Sequence, residues 1–274
     1  MLAPSKINVR AWESEGLLLE RYTYTSGTVE PLPKHSHSEY QFGLSFDCQG
    51  EYYYRGTQHQ IPRGNLSIIQ SGEVHLPSQR TYLPNPAVFW MMHADPSWLQ
   101  TIASEMAEKP TGLPFFPALF LGDRKLARLF LHFHNIVEIK AFRLERDSIL
   151  WHFFIHLIAC HAQDRPSIRP LKSVRLAVMR VRDFLHDNYA SNVSLEELAI
   201  VAGLSRSYLC RAFSKEMGIP PHAYQMRVRI DRAKRLLARG MPTARVAAET
   251  GFYDQSHFGW HFKHLVGVTP GNYS

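Results

Sequence analysis

The sequence predicts a two-domain α+β protein, with a β-rich N-terminal domain followed by an all-helical C-terminal domain. Three observations predict it. Short alternating segments with Gly or Pro between them run from about His35 to Asp95. A helical pattern occurs twice near the end, in Gly203–Pro221 and Gly251–Pro270. Charge divides the chain in the same way: up to Asp164 there are 14 Lys/Arg and 16 Asp/Glu, and after it 17 and 8, giving −2 and +9.

The 274 residues are enough for about two domains, and 45% of them are hydrophobic, so sizeable cores can be buried. No apolar run approaches the roughly 18 residues of a membrane span, and the first residues lack the pattern of a secretory signal. No membrane partner is expected. Cys48, Cys160 and Cys210 are far apart and form no CxxC pair, which argues against a cysteine-rich zinc site or a disulfide framework and suits a cytoplasmic protein.

In chain order, the stretches EYQFGLSFD, GEYYYRG, TQHQIPRGNLSIIQSGEVH and AVFWMMHAD read as strands of a barrel or sandwich. Leu126 to His161 reads as helix, with an apolar stripe at Leu126, Leu129/Phe130, Phe133 and Ile136/Val137. Its five histidines (132, 134, 152, 156 and 161) read as core or surface residues, since no third ligand has a defined position. Ala162 to Lys172, with two prolines, reads as a linker. The expected domains are 1–162, a linker at 163–173, and 174–274.

Each repeat reads as a short helix, a Gly-containing turn and a second helix, at 194–217 and 243–266. Ser194 and Thr243 are the matched N-cap candidates, and Asp254 is the candidate cap of the last helix. Gly267 and Pro270 end it. Ala199 and Ala248 let the second helices cross closely. Between the copies, Pro220/Pro221 to Gly240 predicts a helix of about 18 residues, roughly 27 Å long. Val228, Ala233, Leu236 and Leu237 face inward in this reading, and Arg227, Arg229, Arg232, Lys234 and Arg235 form a solvated or phosphate-facing cluster. A polyanion, double-stranded DNA, is the expected partner.

Pro221, Tyr224, Arg227, Arg232, Ala233, Leu236, Leu237, the run AAETGFYDQSHF, and Phe262, Lys263, Gly267, Thr269, Pro270 and Tyr273 together resemble the DNA-binding domain of the AraC/XylS family of transcription regulators. The resemblance covers about a hundred residues. It implies that Arg206, Ser207, Cys210 and Arg211 of the first copy, and Gln255, Ser256 and Trp260 of the second, face bases, with Lys263 beside them. Arg206 and Arg211 suit guanine and Gln255 suits adenine. Trp260 departs from the usual basic residue and implies weaker or altered readout by the second copy. The family also implies a homodimer packed through the 126–161 helices, with RNA polymerase as a candidate partner.

His35-Ser-His37, followed by Gly64 to His75, resembles the two motifs of the cupin barrel, which AraC-type regulators use as a sensor. His35, His37 and His75 match metal-ligand positions, but Gln41 stands where cupin enzymes have Glu, which weakens such a site. The preferred expectation is therefore no metal or other cofactor, with His35, His37, Gln41, Tyr54, His75 and Trp90 lining or bracing a pocket for a small organic effector. The sequence thus points to a DNA-binding regulator controlled by a small effector, not an enzyme. The alternative is a metal-dependent cupin enzyme with an accessory DNA-binding module, whose metal ligands would be His35, His37 and His75. Whether the regulator activates or represses is left open.

Overall fold

Glu15 and Gly16 take left-handed backbone angles (φ 54° and 73°) and join β1 (Ile7–Ser14) to β2 (Leu17–Tyr24) in a two-residue hairpin. The computed structural model describes residues 3–30, 32–47, 50–78, 82–166 and 174–273. Then follow β3 (Gly27–Thr28), β4 (Tyr40–Leu44), β5 (Glu51–Tyr54), β6 (Thr57–Gln60), β7 (Leu66–Ile69), β8 (His75–Ser78), β9 (Tyr82–Leu83) and β10 (Ala87–Ala94). After α1 (Pro96–Ala107) comes β11 (Phe120–Leu121). One sheet runs β1-β2-β10-β4-β7-β11, a second β6-β5-β8, and β3 pairs with β9. Strands β4 and β7 are buried along their whole length, as central strands covered on both faces must be.

One face of the large sheet is covered by helices. Phe42 on β4 packs edge-on against Phe153 and Phe154, with ring centroids 5.7 and 5.9 Å away. Those two rings belong to α3 (Arg143–His161), and α2 (Arg124–Glu138) lies beside them through Phe130, 5.9 Å from Phe153. Glu138 at the end of α2 takes Arg10 at 2.7 Å and Arg21 at 2.8 Å from the β1–β2 hairpin. The stripe of α2 is therefore used within the chain: Leu126, Phe130 and Phe133 are at most 1% exposed.

His134 sits in that stripe, buried, with neither ring nitrogen hydrogen-bonded, against Phe130 at 4.7 Å. Burial first, and the Arg21 charge second, push its pKa down to about 3.

Contacts divide the chain into two compact units: Met1–Ala141 with His152–Arg169, and Phe142–Trp151 with Pro170–Ser274. The ten residues from Phe142 thus pack with the helical unit, so the division crosses α3 as well as falling between Arg169 and Pro170, within the expected linker. Residues 167–173 of that linker lie outside the described residues, and 163–166 form no helix or strand. The physical reason is Phe142, which joins a core of Ile230, Ala233, Leu237, Val246, Ala247, Phe252, Phe258 and Phe262.

The helical unit continues with α4 (Arg175–Asp187), α5 (Leu195–Ala202), α6 (Arg206–Met217), α7 (Pro221–Leu237), α8 (Thr243–Glu249), α9 (Gln255–Val266) and a final 3-10 turn at Pro270–Asn272. Ser194 caps α5 in a reciprocal box with Glu197. Asp254 caps α9 by accepting from the His257 N–H at 2.7 Å. Thr243 is not the cap of α8. Pro242 holds that position, and its carbonyl accepts from Arg245 and Val246.

Arg229 is a second correction. It is 1% exposed, not part of a solvated cluster. Gln225, Arg229, Ala233 and Leu237 recur every four residues and make the buried stripe of α7. The Arg229 guanidinium donates to the carbonyls of Tyr189 (2.6 Å), Ser191 (2.9 Å) and Gly251 (3.2 Å). Its face lies 3.9 Å from the Phe142 ring centroid. Burial lowers its pKa to about 10, so it stays charged at neutral pH.

Two outcomes follow. Arg229→Met removes the side-chain donor to Gly251 and leaves Tyr189 and Ser191 only Gln225 Nε2 as a side-chain donor, and we expect it to lower stability of the helical unit by about 3 kcal/mol, read by urea unfolding and by hydrogen exchange in α5 and α9. For His134, the unfolded ring binds a proton near pH 6.5 and the folded one only near 3. Stability is therefore complete above 6.5 and falls as pH drops below it, by at most about 1.4 kcal/mol per pH unit for such a group. His134→Leu should flatten the loss of melting temperature between pH 7.5 and 5; an unchanged slope would rule this source out.

Candidate nucleic-acid interface and ligand pocket

The two helix-turn-helix copies share their construction. In the first, Gly203 closes α5 in the left-handed region (φ 67°), and Ser205 caps α6 through the Tyr208 N–H. In the second, Gly251 makes the turn at φ 77°, and a Cβ there would lie 2.1 Å from the Ala190 carbonyl oxygen. Only glycine meets both demands. Leu209 and Phe213 of α6, and Phe258 and Phe262 of α9, are fully buried and anchor the two second helices.

With that anchoring, α9 offers Gln255, Ser256, Trp260 and Lys263 to solvent, all exposed. Trp260 is 57% exposed and stacks flat on His264, with centroids 5.5 Å apart. The first copy differs. Arg206 and Arg211 are half-buried, while Ser207 and Cys210 are 0% exposed and are not offered to a base edge in this state. Ser207 matches Ser256 in the repeat, so the motif itself does not bury it. Within the same unit, Trp151 of α3 lies 4.5 Å from the Arg206 guanidinium, which also pairs with Glu196 at 2.7 Å. Arg211 lies over the Tyr208 ring at 5.4 Å.

In the barrel unit, His35, His37, Gln41 and His75 come together. His35 and His75 pair through their backbones, N–H to O at 3.1 and 2.9 Å, and their rings lie 4.3 Å apart. His37 is 5.0 Å from His75, and the Gln41 carboxamide is 2.9 Å from His37 Nε2. Each Nδ1 faces a backbone carbonyl: Pro33 for His35 (2.8 Å), Glu39 for His37 (2.8 Å) and Glu73 for His75 (3.3 Å). A carbonyl only accepts, so each Nδ1 carries a proton, and His37 Nε2 is engaged by the Gln41 Oε1. His75 Nε2 is buried with no hydrogen-bond partner, and burial holds the ring neutral by lowering its pKa to about 4.

Two sequence candidates behave otherwise. Tyr54 is a brace: its hydroxyl donates to the Glu73 carboxylate and accepts from the Gln70 N–H at 3.2 Å, and Arg55 holds the same carboxylate at 2.9 Å. Trp90 is not brought to the group. Register pairs His93 with Gln41 and Trp90 with Leu44, so the two lie on opposite faces of β10, Trp90 sharing that of Met92 and Phe42. His93, missed in the sequence, takes its place, 5.4 Å from His37 and 3.3 Å from Glu20. The His93 hydrogen bond, against a smaller opposing effect of burial, holds the Glu20 carboxyl below its usual range. Only register could have revealed His93, because alternation alone fixes no partner strand.

The three histidines do not fit the cupin metal geometry. Their ligand atoms do not all lie within 4.8 Å of one another, and Gln41 brings no charge to such a site. The arrangement instead suits a ligand that donates hydrogen bonds to imidazole nitrogens.

A barrel with a polar, histidine-lined centre, joined to two helix-turn-helix motifs, defines a DNA-binding transcription regulator. A family profile described as an AraC-like ligand binding domain matches residues 22–154, and one described as a helix-turn-helix domain matches 198–274. The chain belongs to the AraC family of transcription regulators. It is 28% identical over 244 residues to an uncharacterized HTH-type transcriptional regulator of Bacillus subtilis, YbfI, covering 88% of this chain and 86% of that one. It is 32% identical to the probable transcriptional regulator LumQ of Photobacterium leiognathi, over 51% of this chain and 58% of LumQ. Among solved structures it is similar to the C-terminal domain of AraT from Geobacillus stearothermophilus, at 27% identity and TM-score 0.35, covering 37% of this chain and 86% of that one. No helix among the described residues is long and apolar enough to cross a membrane.

The resemblance makes Arg211 a candidate base contact. We expect Arg211→Ala to weaken binding to an operator selected from a random pool by roughly 1–3 kcal/mol, and binding to random DNA much less. Equal losses on both, in parallel binding titrations at one salt concentration, would make Arg211 a phosphate contact.

Proposed function

We propose that this chain is a sequence-specific regulator whose DNA binding is controlled by a small polar effector in the N-terminal barrel, acting in the cytoplasm as a homodimer. It reads double-stranded DNA through α6 and α9, with RNA polymerase as a further partner at the promoter. No catalysis is part of this reading. The effector is a molecule with hydrogen-bond donors, matched to the unpartnered Nε2 of His75 and to the His35, His37 and Gln41 side chains around it.

The observation that carries control is the division of α3. Its C-terminal half belongs to the barrel unit. Its N-terminal half belongs to the DNA-binding unit, where Asp147 accepts from the Leu195 N–H at the start of α5 (3.0 Å) and Trp151 covers Arg206. An effector that binds one state of α3 more tightly than another shifts the fraction of chains whose α6 is uncovered. A base-reading arginine held on an indole is a competitor to DNA, and breaking that hold has a direction. We expect Trp151→Ala to raise affinity for the selected operator about tenfold without effector, worth about 1.4 kcal/mol. Titration of the full-length chain, with its melting curve as a folding control, checks this. Unchanged or weaker binding by a folded variant would sink the covering role of Trp151.

A further inference from the structure

Far from the barrel histidines in sequence, two other histidines converge on one carboxylate. Asp123 lies between β11 and α2, and its Oδ1 caps α2 by accepting from the Lys125 and Leu126 N–H groups at 2.9 and 3.0 Å. Its Oδ2 is thereby aimed away from the helix, at His156 Nε2 (2.8 Å) and His161 Nε2 (2.9 Å) on the last turns of α3. Among the described residues, this is the trio of His, Cys, Asp or Glu whose ligand atoms all lie within 4.8 Å of one another. We propose that Asp123, His156 and His161 form a binding site for a borderline divalent transition-metal ion of the zinc class.

Three features fit. Two imidazole nitrogens and one carboxylate oxygen are a donor set suited to such an ion, with a further position for solvent or another ligand. The outer partners are in place: both N–H groups on Asp123 Oδ1 fix the carboxylate, and Cys160 Sγ, 3.7 Å from His156 Nδ1, fixes that ring. The three side chains are about one-fifth exposed, and Asp123 and His161 line an open groove of about 630 Å³ that also includes Gly122, Arg124 and Lys125. The two basic residues favour an anionic or neutral ligand at the open position. Binding needs a lone pair at each Nε2, with the ring proton carried on Nδ1. The ion ties the start of α2 to the end of α3, the same helix whose other half packs with the DNA-binding unit.

The test uses the full-length chain, stripped with a chelator and titrated with zinc chloride against a chromophoric competitor, with metal content measured after dialysis. We expect one zinc per chain and a higher melting temperature with it. His156→Ala/His161→Ala should lower zinc affinity at least a hundredfold, and His35→Ala/His37→Ala should leave it unchanged. Asp123→Asn keeps a good helix cap, so it folds as the parent does and should still lose at least tenfold. Cobalt in place of zinc should give visible absorption bands of a four-coordinate site in the parent but not in the double variant. The proposal is overturned if the chain takes up no zinc, if the 156/161 variants keep their affinity, or if zinc is lost with the 35/37 pair instead. None of these results bears on effector control, which the Trp151 experiment tests separately.

Discussion

The helical unit depends on one buried guanidinium. Arg229 is placed on the inner stripe of the long helix α7, where a charge costs several kcal/mol unless fully satisfied. Three carbonyls satisfy it, two from the segment before α5 and one from the turn of the second helix-turn-helix. With two carbonyls from one segment and the third from the other motif's turn, the fork ties both helix-turn-helix motifs to a single point. The close contact of Gly251 with Ala190 brings the two segments near enough for one side chain to reach both. Lysine has no planar fork and could not hold this geometry.

Phe142 extends the same centre. Its ring covers the guanidinium face and stacks on Tyr253, with centroids 5.0 Å apart. The residues that start α3 are thus bound up with the interaction that organises the DNA-binding unit. Asp147 adds a carboxylate at the N-terminus of α5, where the helix dipole favours it. Through Phe142, Asp147 and Trp151, the first half of α3 touches the arginine centre, the first helix of one reading motif and the second helix of that same motif.

What the sequence disclosed follows the range of each interaction. The repeat, the turn glycines, the caps at Ser194 and Asp254 and the apolar stripes are local, with periods of three to four residues, and the structure has them where the sequence predicts. The helix between the copies was also legible, at Pro221–Leu237. The β1–β2 hairpin carried a signal that went unread, alternation on both sides of Glu15-Gly16. Arg229 was misplaced because its type outweighed its position, although its four-residue spacing from Gln225 and Ala233 was present. Trp90, His93 and the Asp123 group depend on strand register or on helices packed 33 and 38 positions apart, and no local pattern encodes them. The burial of Ser207 is of this kind too, since its counterpart Ser256 in the second copy is exposed.

That contrast between copies bears on how DNA would be read. Arg211 and Trp260 hold the same position on two like scaffolds, fixed by the match of Leu209 to Phe258. A guanidinium can give a guanine edge two parallel N–H groups; an indole has a single donor and a broad apolar face. The two copies are therefore not interchangeable readers. The first carries the hydrogen-bonding code and is the one partly covered by Trp151. The second carries its polar and aromatic surface in the open, with Lys263 beside it, and suits contacts to phosphate, sugar and a thymine methyl. On the proposed function, the open surface of the second copy would supply affinity that any DNA accepts, whereas Arg206, held on Trp151, would be a reader kept back. In this arrangement control over α6 is control over specificity more than over attachment. An effector acting through α3 would then move the protein between loosely held, sequence-indifferent DNA and its own operator, without having to release it from DNA altogether.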